Sequence, residues 1–468
     1  MRFKKIIVMI ITAVSAASLP VDGAFAVSSD DSAVKSTQSF YEQWKQTYVV
    51  QDSYVSGEPQ YYVYYGEEKY SGGQPVEVTV SEAHGYGMLI TACLADYDSE
   101  AHELFDGMYR YYKAHPSSIG PNLMSWQQID NGKAIVDASG SDSAADGDMD
   151  IAYSLLIADS VWGSDGEINY KQAAVDVIND IMTYEVNKTD WIIQLGDWAY
   201  GSKEGDEYYA ATRASDFIMQ YMPVFAEASG DERWLNVYES TYDIINSITA
   251  DYDTGLLPDF IVKDSSGRFV PAKENFLEDV TDGMYAYNSC RTPWRISMDY
   301  LVNGNESAKA FSDKLNAWIT KKTGGNPENI LAGYKIDGTD YADYEDLCFT
   351  VPFLISAMTD EKYSDWKNSL WEYISDYGED VYYGDTIKML CMISYSGMWK
   401  VPGASGSDSK GDINNDGSVN IADLVLLNSH LLGRAPLSAE QGERADMNSD
   451  KIVDAFDSVF LRKAIING

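Results

Sequence analysis

Near its C-terminus the chain repeats one arrangement of oxygen-bearing side chains, and that repeat leaves the tail few ways to fold. Asp412, Asn414, Asp416, Gly417, Asn420 and Asp423 occupy positions 1, 3, 5, 6, 9 and 12 of a twelve-residue loop. Oxygens at this spacing converge on one hard cation, Gly417 permits the central turn, and Ser418 offers its carbonyl at position 7. An apolar run, 424–432, follows as the expected helix. The arrangement recurs as Asp446, Asn448, Asp450, Asp454 and Asp457, with Ile452 at the carbonyl position and 459–466 as the second helix. Lys451 replaces the turn glycine there. A merely acidic surface tail would not set ligands at the same positions twice, so two calcium sites are expected.

Before this repeat, 402–410 is small, polar and without periodicity, the composition of a flexible linker. It separates a tail domain, 411–468, from a large region, 29–401. At the other end, Lys4 and Lys5 precede an apolar stretch, and Ala24-Phe25-Ala26 supplies a small-x-small cleavage pattern. Residues 1–26 therefore read as an export signal and the mature chain as secreted; the stretch is short for a membrane span. The formal charge of −39 excludes nucleic acid and anionic lipid as natural partners. Cys93, Cys290, Cys348 and Cys391 form no CxxC and no ligand cluster with the four histidines. They read as buried small hydrophobes or as holding one disulfide, with no pairing assigned.

In the large region, helical periodicity dominates. Phe40, Trp44 and Tyr48 make one stripe, Ile151, Leu155 and Trp162 another, and Phe311, Leu315 and Trp318 a third that ends at Gly324-Gly325. A further helix is expected over 215–228, closed by Gly230. Long polar and aromatic loops are expected over 117–143 and 252–287. Strand alternation is confined to 76–80 and short pieces near 61–65. The expectation is a mostly helical domain with long loops at one end.

Three segments carry possible chemistry. In Val80-Ser81-Glu82-Ala83-His84-Gly85-Tyr86-Gly87-Met88, Glu82 is either a solvated helix-start residue or an acid whose apolar setting raises its pKa. In the second segment Asp146, Asp148 and Asp150 open a helix, where the N-terminal dipole favours carboxylates. They could cap that helix or bind sugar; without a companion histidine they do not suit a transition metal. The third, Tyr285-Ala286-Tyr287-Asn288-Ser289-Cys290-Arg291-Thr292-Pro293-Trp294-Arg295, suits either a buried ion-pair network or a carbohydrate cleft.

In this order, the segments resemble family 8 of the glycoside hydrolases over nearly all of 40–401. Ser81-Glu82 with Gly85-Tyr86-Gly87-Met88 matches the family's proton-donor segment. Ala144-Ala145-Asp146-Gly147-Asp148 matches its Ala-(Ser/Thr)-Asp-(Ala/Gly)-Asp signature, with Ala145 as a departure. Leu123-Met124-Ser125-Trp126-Gln127 and Leu195-Gly196-Asp197-Trp198 are also similar to family segments. The tail resembles the dockerin module of cellulosomal enzymes, since position 12 is Asp in both loops and no entering helix precedes them.

The resemblance implies an all-α fold, an (α/α)6 barrel of six helical hairpins with a groove across one end, followed by a small calcium-binding dockerin domain. It also implies hydrolysis with inversion, in which an acid protonates the leaving oxygen and a base about 6.5–9.5 Å away activates water. Glu82 is then the acid, and Asp146 holds the distorted sugar, with Asp148 in a similar role. Where one branch of the family has its Asp base, this chain has Asn288, which cannot accept a proton. Another branch supplies a loop Glu, and Glu278 is the expected base, with Glu274 and Asp279 in reserve. Arg291 and Tyr287 are expected to orient the base water and line the cleft, while Trp126 and Trp198 are either stacking platforms or core residues. The expected substrate is β-glucan, as mixed-linkage β-1,3-1,4-glucan or amorphous cellulose, with chitosan and then xylan as alternatives. A non-catalytic carbohydrate-binding protein would not need the paired carboxylates. The dockerin implies a cohesin partner on an extracellular scaffold, with Ile421-Ala422 and Ala455-Phe456 as expected contacts. Calcium belongs to the tail, and catalysis is expected to need no cofactor.

Overall fold

A computed structural model describes residues 31–66, 69–138, 140–376 and 381–403, and in the tail 410–414, 419, 421–434, 437, 439–448 and 452–467. The expected export signal, 1–26, and most of the expected linker, 402–410, lie outside these residues. Among the described residues no helix is long and apolar enough to cross a membrane.

The helices of the large domain follow one another as α1 (Asp31–Tyr48), α2 (Ser81–Cys93), α3 (Ala101–Ala114), α4 (Ala145–Trp162), α5 (Tyr170–Asp180), α6 (Tyr221–Ser229) and α7 (Arg233–Ala250). Then come α8 (Thr292–Asn303), α9 (Glu306–Thr323), α10 (Leu347–Thr350), α11 (Pro352–Ala357), α12 (Ser364–Asp376) and α13 (Tyr382–Tyr395). Helices α10 and α11 act as one element broken at Pro352, whose ring cannot continue the preceding turn. They form an (α/α)6 barrel. α2, α4, α6, α8, α11 and α13 make the inner ring, and each outer helix packs behind an inner neighbour.

The two rings differ in sequence for a physical reason. Every residue of α2 except Glu82 is buried, as is α4 from Ala145 to Ala158. Such helices have no polar face and belong at the centre. The outer α3, α7 and α9 bury one stripe only: Phe105, Met108 and Tyr112 on α3, Phe311, Leu315 and Ile319 on α9. Asn305 caps α9 by accepting from the Ser307 and Ala308 amides, and Gly324 ends it in a left-handed turn, as the sequence anticipates.

Short strands decorate the ends: β1 (Val49–Gln51), β2 (Tyr61–Val63), β3 (Val76–Val80), β4 (Gln127–Asp130), β5 (Ile135–Asp137), β6 (Val186–Asn187), β7 (Ile192–Ile193), β8 (Ala211–Arg213), β9 (Phe260–Lys263) and β10 (Phe269–Pro271). All pairings are antiparallel, in the sheets β1-β2, β3-β4-β5, β6-β7 and β8-β9-β10. The expected long loops thus contain hairpins. Their strands are too short for alternation to register, and their partners, such as β3 for β4, lie far away in sequence.

The helix expected over 215–228 is a correction. α6 starts only at Tyr221, after a single 3-10 turn at Ala214–Asp216. A helix from Ser215 would place Pro223 in its interior, where the ring clashes with the carbonyl four residues back; a start at Tyr221 puts it in the tolerated first turn. The four cysteines are buried free thiols. In the tail, α14 (Ile421–Leu431), α15 (Ala439–Ala445) and α16 (Ala455–Asn467) surround Ile413, Leu427, Ala445 and Leu461. α14 and α16 begin earlier than expected, so that Asp423 and Asp457 fall in their first turns, and α15 has no counterpart in the sequence reading.

Two glycines let α2 and α4 approach. A Cβ on Gly147 would lie 2.6 Å from the Ser81 carbonyl carbon, and one on Gly85 would lie 2.8 Å from Asp150 Cβ and 2.9 Å from the Gly147 oxygen. Gly147→Ala should therefore push the start of α2 outward and destabilise the domain by about 1–3 kcal/mol, the usual range for overpacking. Chemical denaturation of wild type and variant checks this.

Candidate active site

The first turns of four inner elements meet at one end of the barrel. Glu82 is the second residue of α2, Asp146 the second of α4, Tyr382 the first of α13, and Arg291 immediately precedes α8. Helix N-termini carry partial positive charge, so this end is suited to hold carboxylates.

Arg291 is the hub. Its Nη1 donates to Glu82 Oε2 at 2.6 Å, to the Tyr86 hydroxyl at 2.9 Å and to Asp146 Oδ2 at 3.0 Å. Tyr382 donates to the other Glu82 oxygen at 3.1 Å. On the far side, Arg291 Nε and Nη2 donate to the Asn288 backbone and side-chain oxygens, each at 3.2 Å. This fixes the Asn288 amide so that its Nδ2 donates to Glu278 Oε2 at 2.8 Å. Arg213 Nη2 donates to Glu278 Oε1 at 3.0 Å. One continuous hydrogen-bonded line therefore joins Glu82 and Asp146 to Glu278.

The two inner carboxyls are driven apart electrically. Burial raises the Glu82 pKa above its ordinary value and Asp146 adds to that, against the opposing pull of Arg291 and Tyr382. Burial acts on Asp146 too, but there Arg291, Arg213 and the Gly147 amide outweigh it and hold the carboxyl low. A carboxyl held low at Asp146 thus stands beside one raised at Glu82, both within reach of one guanidinium.

The remaining expected residues fall in different places. Tyr287 is 42% exposed, with its hydroxyl donating to Asp346 Oδ2 at 3.0 Å. Trp126 is 37% exposed, and its carbonyl accepts the Ser81 amide beside Glu82. Trp198 is half-buried against Tyr208 in a small cluster with Phe260 and Phe276, so it stabilises the loop that carries Glu278. Asp148 departs from the expected sugar contact. It has no exposed surface and accepts the Met124 amide at 2.7 Å, because the two-residue step from Asp146 turns its side chain to another face of α4. Burial, and then neighbouring acids, push Asp148 and Glu185 well above ordinary carboxyl values. Of the reserves, Glu274 lines a separate cleft with Tyr252, Lys335 and Asp337, and the Asp279 carboxylate accepts the Val280 amide. Sequence reasoning missed Arg213, Tyr382 and Asp282, which stand in no motif; only spatial proximity identifies them.

In the tail the two repeats make equivalent bonds. Asp423 Oδ1 accepts the Ile413 and Asn414 amides at 2.7 and 3.0 Å, and Asp457 Oδ1 accepts the Met447 and Asn448 amides at 2.9 and 3.4 Å. Asp412, Asp423, Asp446 and Asp457 are all buried. An oxygen donor set of buried carboxylates fits a hard cation such as calcium. Asp416, Ser418, Asn420, Asp450 and Lys451 lie outside the described residues, as do the side chains of Ile421 and Ala422. Asn448, Ile452, Ala455 and Phe456 are exposed.

Comparison with known proteins gives the family and the fold. The family model for glycosyl hydrolases family 8 matches residues 16–397, and that for the dockerin type I domain matches 410–466. A beta-glucanase of Niallia circulans is 46% identical over 371 residues, covering 79% of this chain and 85% of the relative. An endoglucanase of Bacillus sp. (strain KSM-330) is 38% identical, covering 80% and 78%. Among solved structures, an apo beta-1,3-1,4-glucanase from Paenibacillus sp. X4 superposes with a TM-score of 0.73 at 45% identity, covering 79% of this chain and 93% of that one. A cold-adapted family 8 xylanase superposes at 0.64 with 16% identity, covering 79% and 92%, a likeness of fold alone.

Removing the hub should be costly. Arg291→Met leaves Glu82 and the buried Asp146 without their shared cation and should destabilise the domain by about 3–5 kcal/mol at neutral pH, as for a broken buried pair. Urea unfolding of the variant measures it.

Proposed function

The chain belongs to family 8 of the glycosyl hydrolases, inverting enzymes, and from that premise we propose that it is a cellulosomal endo-β-glucanase in which Glu82 is the acid and Glu278 the base. The observation that carries the reading is the line Glu82–Arg291–Asn288–Glu278. It sets a proton-holding carboxyl and an exposed carboxylate on either side of a guanidinium and an amide. An inverting pair needs its two carboxyls held apart, with room for one water between base and sugar.

In this mechanism Glu82 gives its proton to the glycosidic oxygen as the bond to the anomeric carbon breaks. Water attacks that carbon from the opposite face, and its proton passes to Glu278. Asp146 stays ionised, held by Arg291, and faces the positive charge that develops on the sugar ring. Asn288 does no proton chemistry; its amide orients the base. Trp126 and Tyr287 supply exposed rings for sugar faces.

The relatives support a β-glucan substrate. The 46% identical relative carries the name beta-glucanase, and the solved structure at 45% identity is called a beta-1,3-1,4-glucanase. The type I dockerin supports binding to a cohesin and an extracellular, cellulosome-associated setting. There, calcium would be held by Asp412, Asn414, Asp416, Asp423 and the Ser418 carbonyl, and by Asp446, Asn448, Asp450, Asp457 and the Ile452 carbonyl, and would order the tail's loops.

Glu82→Gln and Glu278→Gln should each fold normally and lower turnover of mixed-linkage β-glucan by about 10²–10⁴-fold, the usual weight of a general acid or base. Reducing-end release on that glucan and on chitosan at equal mass tests both roles and substrate; preference for chitosan would overturn the glucan assignment.

The acid role also fixes a pH dependence. A general acid must be protonated, so activity is lost as pH rises through its pKa. The Tyr382 hydrogen bond lowers the raised Glu82 pKa. Tyr382→Phe should therefore move the alkaline limb of kcat/KM to higher pH, and a pH–rate profile of the two proteins reads it.

A further inference from the structure

Glu278 stands on a loop, not on a helix of the barrel, and its side chain is 46% exposed. A glutamate in that position has free rotamers, whereas a base must be held to within roughly 0.5 Å of its working position. The backbone is pinned first. The buried Asp282 carboxylate accepts three successive amides, from Leu277, Glu278 and Asp279, at 2.7, 3.0 and 2.9 Å. That fixes where the Glu278 Cα lies but not where its carboxylate points.

The side chain is held from two sides, and the two holders differ in strength. Asn288 gives Oε2 a neutral hydrogen bond. Arg213 gives Oε1 a charged one at 3.0 Å from a guanidinium only 13% exposed, resting 5.1 Å from the centre of the Phe260 ring. Charge-assisted bonds are the stronger kind. Arg213 is itself rigid, ending β8, which pairs with β9 through Arg213 and Phe260. The next amide, Ala214, donates to the Asp259 carbonyl, and the Asp259 carboxylate accepts the Ala286 and Ser289 amides of the turn that carries Asn288. Both holders therefore hang from one residue of the scaffold. Asp216, the next acid along the chain, is only partly ionised near neutral pH and so draws on the guanidinium's charge only in part. Burial, and then Asp146, raise its carboxyl to about 7.

We infer that Arg213 is the positioning residue for the base: its guanidinium fixes the Glu278 carboxylate so that an oxygen lone pair faces the attacking water. With Asn288 it replaces what a carboxylate on the barrel itself would provide without help. The inference rests on Glu278 being the base.

The test is a double-mutant cycle on the full chain with mixed-linkage β-glucan, made of Arg213→Met, Glu278→Gln and the combination. Arg213→Met should lower kcat about 100-fold with KM nearly unchanged, the scale of a misplaced catalytic group. Arg213→Lys should recover part of that loss, since it restores the charge but not the fork. In the Glu278→Gln background, Arg213→Met should cost no more than about a further twofold, because residues acting as one unit are not additive. Arg213→Met at wild-type kcat, or its full loss recurring on Glu278→Gln, would overturn the inference while leaving the base in place. Should Glu278→Gln keep wild-type kcat, the base assignment itself falls and the inference with it. Thermal midpoints confirm folding, and if Arg213→Met fails to fold, Arg213→Lys carries the same cycle.

Discussion

Two ion pairs, one turn apart, run through the middle of the barrel. Asp146 and Asp150 are four residues apart on α4, and Arg291 and Arg295 are four apart at the start of α8, so that each acid meets its own arginine. The deeper pair is closed. Arg295 grips both Asp150 oxygens, Tyr221 donates to the same carboxylate, and the guanidinium lies 4.0 Å from the centre of the Trp294 ring. Buried pairs of this kind add little net stability because desolvation cancels the attraction, but breaking one is expensive. Here they set the register of α8 against α4, and with it the position of everything at the groove end.

The outer pair is not closed, and the chemistry comes from that difference. Arg291 bonds two carboxylates, Asp146 and Glu82, with one positive charge. Asp146, deeper and bonded to the Gly147 amide as well, is held below the ordinary carboxyl range, while the Glu82 pKa is raised above it. The same arginine turns its other edge to Asn288 and so reaches the loop of Glu278. In the proposed mechanism, a structural device of the core, displaced by one helical turn, serves as the acid site. Gly85 and Gly147 make this possible, since α2 could not otherwise come close enough for Glu82 to join the pair.

Much of this was legible in the sequence. The stripe of Ile151 and Leu155 on α4, the carboxylates that open that helix and the Gly324 stop are local patterns, and they fold as read. Glu82, Asp146 and Arg291 were visible because each lies in a short run of residues whose order is informative. The hairpins of 117–143 and 252–287 were not, because a three-residue strand is defined by its partner rather than by its own alternation. Arg213 and Tyr382 were invisible for the same reason: each acts on a residue 65 or 300 positions away, and nothing beside it in the chain marks it. Asp148 misled because its neighbours share its chemistry, while the helical turn sends its side chain into the core. In the tail, the helix starts depended on where the last aspartate of each loop is bonded.

In the proposed mechanism Arg291 holds Glu82, Arg213 and Asn288 hold Glu278, and the two carboxyls act on opposite faces of the bond to be cut. A crystal structure of Glu82→Gln with a bound mixed-linkage β-glucan oligosaccharide tests it directly. The account predicts a water bonded to Glu278 and lined up with the anomeric carbon, on the face of the sugar opposite residue 82. A water held instead by another carboxylate, or an anomeric carbon out of reach of Glu278, would contradict it.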